Sequence, residues 1–169
     1  MGNPQHLEWL LEGVMAWNAR RERQEFTPDL SGMNIFKAFD DAGKLDEFGR
    51  IPLQGVDLEE ADLTGTNLEK ADLSVAELSH SDLIEANLHG ASLMGADLAF
   101  ANLDGADLDQ ADLFEANLQY TMFQHTSLKR ANLWEADLRG AVFWDTNLRG
   151  ANLTAADVRS FPAHFQPLR

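Results

Sequence analysis

From Leu53 to Val158 every fifth residue is large and apolar, at 22 positions without a break in phase, nineteen of them Leu and the rest Phe123, Phe143 and Val158. Two residues before each centre the chain is small: Ala fifteen times and Thr four times (Thr66, Thr121, Thr126, Thr146), with Ser81, Val56 and Ile51 completing the set. The residue just before the centre is Asp or Asn at sixteen positions. The two positions after it vary freely. A repeat this regular takes precedence over local propensity, because no single unit is long enough to bury a face alone.

Five residues match neither the 3.6-residue period of a helix nor a sustained alternation of two. Within one unit the small residue and the Leu stand two apart, so both point to the same side of a short extended segment. The chain must then turn before the next unit, or successive Leu residues would fall on opposite faces. Short extended pieces joined by corners make a coil with Ala and Leu inside and three positions per unit outside.

The coil length follows from which residues recur. Phe123 and Phe143 are twenty apart, as are Thr126 and Thr146 at the small inward position. Outward positions agree: Phe100 with Tyr120, Met122 with Val142, Lys129 with Arg149, Arg139 with Arg159. A coil of four units brings all of these together, whereas a coil of three brings none. One inward column then runs Leu63, Leu83, Leu103, Phe123, Phe143.

The tandem pattern A-[D/N]-L-x-x, as in Ala106-Asp107-Leu108-Asp109-Gln110-Ala111-Asp112-Leu113, resembles the pentapeptide repeat family over residues 51–160. The resemblance implies an all-β fold, a right-handed quadrilateral β-helix of about five to six coils. At about 4.8 Å per coil the stack is on the order of 26 Å long. It says little about function, because one fold carries different roles.

A repeat stack needs covered ends. Residues 1–27 form the expected N-terminal cap, a short α-helix with Leu7, Leu10, Leu11, Val14 and Trp17 along one stripe. Its Gly13-Val14, Trp17-Asn18 and Pro28-Asp29-Leu30-Ser31-Gly32 also resemble a leader that precedes some bacterial arrays of this family. Residues 28–50 form a first partial coil. Leu30 and Ile35 read as repeat centres, but Leu53 lies 18 residues beyond Ile35, so an insertion near residues 39–50 interrupts that coil as a surface excursion or short helix. The tail, residues 161–169, carries Phe161 and Phe165 between prolines and is expected to plug the last coil.

Composition excludes several functions. The chain of 169 residues has no cysteine, so a disulfide scaffold, a thiolate zinc site and a cysteine nucleophile are ruled out. No run of 18 apolar residues offers a membrane span, and the first residues lack the pattern of a secretory signal; a cytoplasmic protein is expected. His6, His80, His89, His125 and His164 lack metal-ligand spacing. There is no P-loop or dinucleotide fingerprint, and the inward positions hold only small and apolar residues. We therefore expect no enzyme, no cofactor and no metal. A net charge of −15 argues against direct nucleic-acid binding.

That charge is uneven. Residues 26–118 carry 4 basic and 20 acidic residues, net −16, whereas residues 119–169 carry 6 and 4, net +2. One outward column runs Gln54, Ser74, Met94, Phe114, Trp134, Thr154. Its three large apolar residues form a stripe that either docks a partner or ties successive coils together. Phe100 and Tyr120 occupy a neighbouring corner, preceded by His80, and Trp144 lies on the opposite face. The expected function is a rigid, non-enzymatic protein-interaction module, with a homodimer through the C-terminal end or the aromatic stripe as a further use of the same surfaces. The family resemblance implies an alternative, since some of its acidic rods mimic DNA and bind DNA gyrase, protecting it from quinolones or peptide toxins.

Overall fold

The computed structural model describes residues 1–159; the expected C-terminal plug, residues 161–169, lies outside them. The repeat coils back on itself every twenty residues. Eighteen of twenty parallel bridges join residues twenty apart, from Pro52↔Asp72 to Asp137↔Asp157. Every bridge residue of this array is the one just before a repeat centre. Each coil thus has four sides, called here by their centres the first (Leu53, Leu73, Leu93), second (Leu58, Leu78, Leu98), third (Leu63, Leu83, Leu103) and fourth (Leu68, Leu88, Leu108).

Three hydrogen bonds per side hold neighbouring coils: Asn102 N donates to Ser81 O (2.9 Å), Leu83 N to Asn102 O (2.7 Å) and Glu85 N to Asp104 O (2.9 Å). A further one closes each corner, as where Ala106 N donates to Leu103 O at 3.0 Å. The extended piece of each unit is so short that it makes a single bridge, and among the described residues no continuous strand forms. The second residue of every corner has positive φ, between 51° and 62° at the fourteen non-glycine positions from Glu60 to Ala155. This is the third position of a type II-like turn, which favours glycine. Seven glycines fall in this column, a preference not recognised in the sequence.

The Asp/Asn slot has a structural cause. The side-chain oxygen of the slot residue accepts the backbone N–H two residues on: Asp62 from Thr64 (3.0 Å), Asn102 from Asp104 (3.1 Å), Asn132 from Trp134 (3.3 Å). A carboxylate and an amide oxygen serve equally in this Asx turn. Several amides also reach the coil below, as where Asn117 Nδ2 donates to Asp97 Oδ1 at 2.9 Å.

The inward column Leu63, Leu83, Leu103, Phe123 is fully buried, and Phe143 is half-buried with its ring stacked 4.9 Å from that of Phe123. Inward threonines satisfy their hydroxyls on the backbone: Thr126 Oγ1 donates to Leu103 O at 2.6 Å.

The N-terminal end departs from expectation. Instead of one helix there are three among the described residues: α1 (Pro4–Leu11), α2 (Val14–Arg21) and α3 (Ile35–Asp41). Gly13, with φ of 104°, breaks the expected single helix so that α1 and α2 lie on different parts of the first coil. Trp17 Nε1 donates to Asp57 O (2.6 Å), and Asn18 both donates to Gly55 O (2.8 Å) and accepts from Asp57 N (3.0 Å), satisfying backbone that has no coil beneath it. Buried His6 accepts from Asp29 N through Nδ1 at 3.0 Å, which gives this histidine a structural role the sequence did not reveal. Leu30 and Ile35 are buried repeat centres as expected, and Asp29↔Asp62 and Asn34↔Asn67 bridge 33 residues apart, thirteen more than a coil. That excess is α3 and the loop after it. Lys44 ties this loop back to α1 by donating to Leu11 O at 2.6 Å.

Candidate functional site

The outward column of the first side places Met94, Phe114 and Trp134 in consecutive coils. Met94 and Trp134 are exposed and Phe114 is half-buried, with its ring centroid 5.1 Å from that of Trp134. The Phe114 and Trp134 rings touch, and the row keeps an open apolar face. Its lower continuation, Ser74, bonds to Ser92 and Asp72 instead.

Phe100 and Tyr120 belong to a different surface. They stand at the corner between the second and third sides, with the width of the second side between them and the stripe. His80, Phe100 and Tyr120 stack at 4.9 Å intervals with planes 1° and 11° apart. Above them the column ends at Gly140, where a Cβ would come within 2.5 Å of the Tyr120 ring. Beside this corner, on the third side, Met122 and Val142 occupy the slot that holds Asp or Asn at sixteen of 22 positions, and both are exposed. Trp144, 68% exposed, continues the patch. Met122 and Val142 marked the coil length in the sequence but were not recognised as surface; their departure from the Asp/Asn rule was the available signal.

On the second side Asp57, Glu77 and Asp97 form a column of carboxylates in successive coils. Burial, followed by the nearby charges of Asp97, Asp57 and Glu59, raises the Glu77 carboxyl above its ordinary range. Higher up, a hydrogen bond from Arg139 outweighs burial and holds Asp137 low. At Asp109 burial works in the opposite direction, but bonds from Ser127 and Lys129 prevail and keep it low. Among the described residues no group of three or more His, Cys, Asp or Glu is arranged to hold a metal ion, and no helix is long and apolar enough to cross a membrane.

Four-sided coils of five-residue units, with a polar-tied helical cap and apolar outward rows, define a repeat solenoid. The chain belongs to the pentapeptide repeat family, whose sequence model matches eight copies over residues 53–90, 91–130 and 126–160. Among solved structures it is similar to HetL, a pentapeptide repeat protein involved in heterocyst differentiation regulation from the cyanobacterium Nostoc sp. strain PCC 7120. That match has 35% identity and a TM-score of 0.49, covering 63% of this chain and 53% of HetL. This chain thus spans about half the length of HetL. A pentapeptide repeat protein of the Arabidopsis thaliana thylakoid lumen matches at 33% identity, covering 66% of this chain and 71% of that one, with a TM-score of 0.37. Full-length QnrB1, a plasmid-mediated fluoroquinolone resistance protein, matches at 21% identity over 65% and 73% of the two chains, with a TM-score of 0.32. No curated protein sequence matches this chain.

Proposed function

We propose that the protein is a non-enzymatic interaction module, a right-handed quadrilateral β-helix that presents Met94, Phe114 and Trp134 to a protein partner in the cytoplasm. The observation carrying this reading is the contiguous row on the first side, in which Trp134 keeps 43% of its surface open despite its contact with Phe114. Packing between coils does not require that exposure, and aromatic residues on rigid surfaces are favoured anchors in protein interfaces. The inward positions are filled by Leu, Ala and Phe, which supports a role without bound substrate or cofactor. Affinity capture from a cytoplasmic fraction with the native protein and with Trp134→Ala tests it. A partner captured by the native chain and lost with Trp134→Ala is expected. A partner retained equally by both removes the stripe from the reading.

A second reading, the acidic mimic of DNA that binds gyrase, is favoured by the column Asp57, Glu77, Asp97, whose mutual repulsion helps raise Glu77. A field of this kind attracts basic DNA-binding surfaces. Against it, most acids of the repeat sit in a slot that Asn fills as well. Gyrase supercoiling with added protein decides: inhibition or protection supports the mimic, and unchanged supercoiling sets it aside.

A further inference from the structure

The apolar corner formed by Tyr120, Met122, Val142 and Trp144 faces away from the stripe proposed for the partner. We propose that this corner pairs with the same corner of a second copy. The two rods run antiparallel about a two-fold axis midway between the coils carrying Met122 and Val142. An isologous contact must be self-complementary across such an axis. Here each residue of the lower coil meets the residue one coil higher on the second copy.

The pairs that result match. Met122 meets Val142, both exposed and both replacing the polar slot residue. Tyr120, whose ring packs over Gly140 of its own chain, borders the contact. Gln124 meets the exposed Trp144 edge. At the far corner His125 meets Asp145, a cation-capable ring against a carboxylate. His125 already shows this preference within its own chain, where Nδ1 lies 3.1 Å from Asp104 Oδ1.

Charge selects the direction. Residues 26–118 carry a net −16 and residues 119–169 a net +2. Parallel rods would hold two such acidic segments side by side, within reach of one another's field. Antiparallel rods overlapped at the upper coils send the acidic segments to opposite ends and join the near-neutral portions. A patch of this size lies at the low end of specific interfaces, so the dimer is weak and concentration-dependent. It leaves Met94, Phe114 and Trp134 outward on both copies, so a dimer presents two copies of the partner surface.

Sedimentation velocity on the full chain over a concentration series tests the association. Spin labels on single cysteines test its direction, since the chain has none of its own. Monomer–dimer exchange is expected, weakened at least tenfold by Trp144→Ser combined with Val142→Thr. Trp134→Ala is expected to leave it unchanged. An unaltered far-UV spectrum and melting temperature show that the variants are folded. Labels at Gln124→Cys are expected close together. Those at Thr64→Cys, three coils lower, are expected to gain six coils of axial separation, about 29 Å at 4.8 Å per coil. A monomer at every concentration overturns the proposal. So does a dimer insensitive to the Trp144/Val142 change, a dimer abolished by Trp134→Ala, or equal label distances at the two sites, which parallel rods would give. Loss of the stripe's partner with Trp134→Ala while the dimer persists separates this surface from the one proposed above.

Discussion

Replacing Leu103 by Ala measures how rigidly the stack holds its core. Leu103 is fully buried between Leu83 below and Phe123 above in the same inward column. Truncation removes three buried carbons, about 2.4 kcal/mol at about 0.8 kcal/mol for each. A cavity adds to this cost in proportion to how little the surroundings collapse. Here they are pinned: Leu83 N donates to Asn102 O at 2.7 Å and Leu103 N to Met122 O at 2.9 Å, so neither neighbouring coil can close the gap without breaking its ladder. The total is about 4 kcal/mol, in the upper part of the range for such changes. Leu153, in the final half-coil, is only half-buried. The same truncation there loses roughly half the transfer energy and opens no enclosed cavity, about 1 kcal/mol. Urea denaturation followed by far-UV circular dichroism compares the two. Trp9 and Trp17 report on the cap and Trp134 and Trp144 on the upper coils, so single-tryptophan versions show whether the ends separate. Equal costs at Leu103 and Leu153 would refute the picture of pinned coils with a softer end.

Asp97 accepts from Ala99 N at 2.9 Å and from Asn117 Nδ2 at 2.9 Å, so Asp97→Asn should preserve stability while Asp97→Ala costs about 1–2 kcal/mol in thermal or urea unfolding. A Cβ on Gly2 would come within 2.8 Å of Leu30 C and Ser31 N, both backbone atoms; Gly2→Ala should therefore lower the melting temperature and loosen the hydrogen bond from Gly2 N to Ser31 O, visible as faster amide exchange around Leu30. Glu77 has a raised folded pKa, so its favourable contribution is present below its unfolded value and is lost as pH rises through the folded one. Glu77→Gln should stabilise the protein at neutral pH and give no advantage once the native carboxyl is protonated. Asp109 and Asp137 have lowered folded pKa values and act in the opposite sense: stability they supply above the unfolded value is lost as pH falls through the folded one. The melting temperature should therefore rise as pH drops toward Glu77's titration and fall again once Asp109 and Asp137 protonate.

The five-residue register was enough to place the inward residues from Leu53 to Leu148, because a slip of one position would turn Leu outward in all the coils at once; Val158, the last centre, is exposed at the open end. Recurrence of Phe123 at Phe143 was enough for the coil length, and the out-of-phase Leu30 and Ile35 revealed the insertion. The cap was less legible because its packing is specified by contacts across some forty residues, such as Trp17 and Asn18 against Gly55 and Asp57, which leave no periodic trace. Gly13 was the visible sign that one helix would become two. The positive φ at each corner's second residue was hidden by tolerance, since Glu, His, Phe and Tyr occupy it beside Gly. What the repeat dictates in every coil cannot single out one place on the rod; only departures from it can. Pro52, Met122 and Val142 break the polar slot, and two of the three lie on the exposed apolar corner. A side chain there gives up the Asx turn that Asp or Asn would supply, a loss the fold gains nothing from. The apolar surface it gains in exchange is therefore where a selective reason for the departure should be sought.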